Sequence, residues 1–157
     1  MTKKHKGIKQ VTRYIEEALD YVRESRNYIY LIVFLFFAST LAGFYYSENL
    51  SFLNEYLKEI LEKAKDLEGL DLMVFIFLNN AQSSLGGLVL GAFFGIFPVF
   101  HALLNGIILG FVFSKVYVIS GFSDFWRILP HGIFELPAIF ISLGLGLRLG
   151  LCVFSNE

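Results

Sequence analysis

At 157 residues the chain has the length of one domain, but 55% hydrophobic residues, 17% aromatics and a mean hydropathy of +0.60 are too apolar for an ordinary water-soluble one. The net charge of −1 divides into +3 over residues 1–27, −4 over residues 47–71 and zero over the rest, so no block is basic enough to suggest nucleic acid. The single Cys152 excludes an intramolecular disulfide and a multi-cysteine metal site.

In chain order, residues 8–26 place Ile8, Val11, Ile15, Ala18, Leu19 and Val22 at helical spacing, with Lys9, Arg13, Glu16, Glu17, Asp20 and Arg23 on the other face. Residues 1–27 are therefore expected to be a basic amphipathic arm lying along the cytoplasmic membrane surface, and 28–157 the membrane domain. The first apolar run starts only at Tyr28, too late for a cleaved signal peptide. Tyr28 to Tyr46 is 19 residues without charge, bracketed by tyrosines suited to the two interfaces, and is expected to be the first span. The lysines and arginines before it place the N-terminus in the cytoplasm by the positive-inside rule, in the cell membrane.

Residues 50–68 read as a second amphipathic helix, on the outer side, with Ser51 as its cap, Gly69 as its end and a Glu59–Lys63 pair across one turn. From Leu72 to Ser114 there are 43 residues with no Asp, Glu, Lys or Arg, enough for two spans of about 20 residues. Pro98 divides them into spans at about 72–97 and 99–117. Residues 120–129 form an outer connection, and Pro130, favoured in a first helical turn, starts a last span at about 130–150 that Pro137 could kink. The expected fold is all-α, an integral membrane helical bundle of about four transmembrane helices with two amphipathic surface helices.

Small residues recur every four positions in three spans: Ser83, Gly87, Gly91 and Gly95; Ala102, Gly106, Gly110 and Ser114; and Ala138, Ser142, Gly146 and Gly150. Small residues let helices approach closely where lipid removes the hydrophobic driving force, so a tight bundle is expected. A homo-oligomer is expected too, through these stripes or the outer helix.

Two spans carry polar residues at matching depth. Asn79 and Asn80 lie about seven to nine residues below the outer start of the second span, roughly 10 to 13 Å, and Glu135 about five below that of the last, roughly 8 Å. An intramembrane carboxylate is costly, so Glu135 should meet an amide of Asn79 or Asn80, with His131, one turn away on the same helix face, nearer the surface. His101 and Asn105 form a separate polar pair near the inner end. Three meanings stay open: a structural polar lock, a proton or solute pathway, and a metal site with His131 and Glu135 as ligands. The last is short of the three protein ligands that catalytic zinc takes, and its order is His-x-x-x-Glu rather than His-Glu-x-x-His. No nucleophile elbow or phosphate loop is present, and no enzyme activity, cofactor or metal is expected.

The segment Pro130-His131-Gly132-Ile133-Phe134-Glu135-Leu136-Pro137-Ala138, with Asn79-Asn80 and Asn105-Gly106-Ile107-Ile108-Leu109-Gly110 before it, resembles the stage II sporulation protein M family over residues 75 to 150. The resemblance implies a non-enzymatic membrane scaffold or assembly factor that binds partners, as the best-known member does when it recruits cell-wall-remodelling proteins during forespore engulfment. Expected partners are the lipid bilayer, further copies of the chain and other membrane proteins. The alternative, from the residues, is a small transporter or channel using the Asn79, Asn80, His131 and Glu135 cluster. The family pattern implies a further hydrophobic helix after the Pro-His-Gly-x-x-Glu span; this sequence stops at Glu157, as a shortened member or a truncated chain would.

Overall fold

The computed structural model describes residues 3–64, 66–67, 69–121 and 125–155; some helical side chains, those of Ser83 and His131 among them, lie outside the described set. Among the described residues the fold is all-α with no strand. Helix α1 spans Lys3–Glu24, α2 Arg26–Tyr45, a 3-10 turn Ser47–Leu50, α3 Leu53–Ala64, α4 Gly69–Phe94, α5 Phe97–Ser120 and α6 Phe125–Ser155. Within the described residues three helices are long and apolar enough to cross a membrane, at Arg26–Tyr45, Phe97–Ser120 and Glu135–Val153.

Four boundaries differ from those the sequence predicts, each for a local reason. The outer amphipathic helix starts at Leu53, because Ser47–Leu50 forms a 3-10 turn first and Ser51 follows that turn instead of capping α3. Gly69 opens α4 rather than closing α3, and Asp71 in the first turn faces the positive end of the helix dipole. Helix α4 ends at Phe94 because Gly95 takes φ 57°, the left-handed conformation that glycine adopts without a Cβ penalty, and its N–H donates to the Gly91 carbonyl at 2.8 Å. Ile96 completes the turn and Pro98 sits in the first turn of α5, as its missing N–H allows. Finally, α6 begins five residues before Pro130 and continues through Pro137. Prolines are tolerated inside such helices where neighbouring groups take up the freed carbonyls.

Two interleaved pairs make the bundle: α2 packs most extensively on α5, and α4 on α6. The small-residue stripes explain both. Gly106 lies against the Phe36 carbonyl and the Ser39 hydroxyl, and Gly110 against the Thr40 carbonyl and the Phe44 backbone, so α5 meets bare backbone of α2. Gly43 returns the contact from α2 onto the Ile107 backbone. On the other pair, a Cβ on Gly91 would lie 3.0 Å from Gly146, one on Gly146 would lie 3.0 Å from the Gly87 carbonyl oxygen, and Gly150 packs on Gly91 and Gly95. Ser142 Oγ donates to the Ser84 carbonyl at 2.8 Å beside them. The glycines of these stripes are thus occupied within one chain. Ala138, at the head of the third stripe, is exposed, while Gly144, outside any stripe, packs on Ile29 of α2.

Ile32, Phe36, Ala102, Ile139, Phe140, Leu143 and Leu147 close the core between the pairs, with the Phe36 and Phe140 rings edge to face at 5.1 Å. Helices α1 and α3 lie apart from it. Val11, Tyr14, Ile15 and Leu19 of α1 are all exposed, and α3 makes at most marginal contact with the rest, so it does not cover the bundle.

Candidate functional site

The polar groups lie mostly along α4 and along its seams with α5 and α6. The Asn80 amide donates through Nδ2 to Glu135 Oε2, joining the middle of α4 to α6 in a contact between half-buried side chains. The depth argument thus finds its pair, and α4 presents Asn80, not Asn79, to α6. Successive helical residues point about 100° apart, since 3.6 make a turn, so only one of two adjacent asparagines can face α6. His131 falls within α6, but its side chain lies outside the described residues.

Asn79 faces the other way. It lines an open cleft of about 310 Å³ between α4 and α5, together with Gln82, Gly86, Gly87, Leu90, Phe97 and His101. The His101 side chain therefore shares a cleft with Asn79, where the sequence reading held the inner pair apart from the outer cluster. The tight Gly95-Ile96 turn folds the start of α5 back along α4 and brings its first residues beside Leu90. Asn105 does not pair with the His101 imidazole; its Nδ2 donates to the His101 backbone carbonyl at 2.8 Å, one turn back, while the Phe97 and His101 rings lie 6.1 Å apart.

A second polar centre, not foreseen from the sequence, lies where α1, α2 and α6 meet. Arg148 Nη1 donates to the Tyr21 carbonyl at 3.1 Å and to Ser25 Oγ at 3.0 Å, its Nη2 to Glu24 Oε2 at 2.8 Å, and its guanidinium lies 4.3 Å from the centre of the Tyr21 ring. Ser25 is fully buried and donates to the Tyr21 carbonyl at 2.7 Å. One planar fork thus serves three acceptors while the guanidinium lies over a ring, a fixed geometry that the point charge of a lysine does not reproduce. The signal in the sequence was the lone basic residue of the last apolar run, read there only as a charge that closes the span.

Outside the bundle, the Glu59–Lys63 pair forms as its spacing predicts, at 2.7 Å. Its hydrogen bond and charge hold the Glu59 carboxyl below the usual range and the Lys63 ammonium above it.

No curated protein and no solved structure matches the chain. The family model described as Stage II sporulation protein M matches residues 32–157, which runs from within α2 through α6 and takes in the glycine contacts of both pairs. With three helices long and apolar enough to cross a bilayer, this is a membrane protein, and the chain belongs to the stage II sporulation protein M family.

Proposed function

We propose that the protein is a non-enzymatic membrane scaffold or assembly factor that works by binding partners at its membrane-surface helices. In this reading four helices cross the cell membrane, α4 being the fourth beside the three named above, and the N-terminus is cytoplasmic. The observation that carries it is the pair of amphipathic helices whose apolar residues the bundle leaves uncovered: Val11, Ile15 and Leu19 on α1, and Tyr56 on α3 beside Phe52. Family membership supports the same reading. Glu135 fits it as a lock, because its carboxylate is bonded across α4 and α6.

The α4–α5 cleft, with its amides and imidazole, favours transport as a second reading. One pair of experiments separates them. Tyr56→Glu with Leu57→Glu, crosslinked in intact membranes, is expected to abolish specific neighbours of α3 while thermal stability stays unchanged. A solute or ion flux in proteoliposomes that Glu135→Gln removes from a still-folded protein would sink the scaffold reading.

A further inference from the structure

Gln82 lies ten residues into the charge-free run that starts at Leu72, about 15 Å along the helix and so near the middle of a hydrocarbon core about 30 Å thick. Its side chain is exposed, as is that of Asn79 one turn above, and among the described residues neither amide is bonded to another group. Lipid tails offer such amides no partner, whereas a neighbouring helix does. One turn below Gln82, a Cβ on Gly86 would meet nothing within 4 Å, although the next residue, Gly87, is closed by Leu143 of α6. Helix α4 thus has one glycine face that is filled and another that is open.

The shape of the open face is specific. Gln82, Gly86 and Leu90, at four-residue spacing, border the cleft of about 310 Å³ toward α5, and Leu78, Ala81, Leu85 and Val89 continue the open surface of α4 on their other side. They form a ridge with the cleft toward α5 on one side and the open surface of α4 on the other. Ridges of four-residue spacing interdigitate with grooves of the same kind on another helix.

We propose that this face is the contact between two copies of the chain, related by a two-fold axis along the membrane normal, with Gly86 at the closest approach and Gln82 bonded across the axis. A carboxamide donates and accepts, so one face repeated on two copies satisfies itself, as an isologous contact requires. No charged residue lies on it to oppose self-contact. The proposal rests on α4 crossing the membrane.

The test is subunit counting by single-molecule photobleaching in liposomes over a range of protein-to-lipid ratios, for the wild type, Gly86→Leu and Gln82→Leu. The expected result is a wild-type dimer whose self-association weakens about tenfold in each variant, the effect of one interhelical hydrogen bond or one lost close approach. Both variants should keep close to the wild-type melting temperature, since a Cβ on Gly86 meets nothing within 4 Å and the Gln82 side chain is exposed. A monomer at every ratio, a dimer indifferent to both variants, or pairing only with a different protein would each overturn it. Gly86→Cys in a Cys152→Ser background shows where a failure lies. Protection from an impermeant maleimide in intact liposomes means that α4 spans and only the interface is wrong; labelling overturns the span and the interface with it.

Discussion

At Gly106 and Gly110 the packing leaves no room for a side chain, because what faces them is backbone that cannot rotate away. Gly106→Val is expected to destabilise the protein by about 1–3 kcal/mol or more, read as a lowered melting temperature in mild detergent, through separation of α5 from α2. The Asn80–Glu135 bond gives a second contrast. Glu135→Gln keeps an acceptor for the Asn80 amide and should melt close to the wild type. Glu135→Ala strands that amide and should lose about 1–3 kcal/mol. Which residues would do this was partly legible in the sequence. Gly106, Gly110, Gly146 and Gly150 announced themselves by spacing, and Glu135 by its cost in lipid. Gly43 did not, since it stands alone in the first apolar run and its role depends on what α5 presents to it. Adjacent asparagines such as Asn79 and Asn80 cannot be told apart without knowing how far α4 is rotated about its axis.

For the separate elements, α1 is held by its end. Arg148 grips the last turn of α1 and the buried Ser25, while the apolar residues of α1 stay uncovered. Arg148→Lys keeps the charge but loses the fork and the ring contact, so amide hydrogen exchange in residues 10–24 should rise while that of α5 is unchanged. For α3, the depressed Glu59 contributes helix stability that is present above the ordinary carboxylate range and lost as pH falls through its lowered value. The raised Lys63 contributes below the ordinary lysine range and is lost as pH rises through its raised value. Both side chains are solvent-exposed, so a peptide of residues 50–68 should lose a little helicity by circular dichroism at either extreme, and less in high salt. Helix existence was readable from charge-free length and a 3.6-residue period. The ends were not, because Gly69 reads as a terminator and Gly95 as one more packing glycine, and only the conformation of the chain decides which one closes a helix.

For the whole molecule, the proposed four-span orientation makes a direct prediction. In a Cys152→Ser background, Glu48→Cys should react with an impermeant maleimide on intact cells, whereas Gln10→Cys should react only after lysis. Reaction of both on intact cells would refute it. Which helix lies beside which was the least legible level. Three consecutive stripes implied a bundle but not its pairing, and the cleft that His101 shares with the α4 amides follows from a two-residue turn whose direction no periodicity encodes.

That pairing bears on how the chain comes to be in the membrane at all. Helices α4 and α5 are joined by Gly95 and Ile96 alone, with no charge at the bend, so they should enter the bilayer together as one hairpin during synthesis. Yet each arm of that hairpin has its main partner elsewhere. Ser47 meets Ser114 across 67 residues, and Ser84 meets Ser142 across 58. When α4 emerges from the ribosome, neither it nor α2 has a partner; α2 must wait for α5, and α4 for α6. The insertion machinery therefore has to shelter at least one exposed glycine face until α6 has been made, and a chain arrested before α6 should be a substrate for membrane quality control rather than a stable fragment.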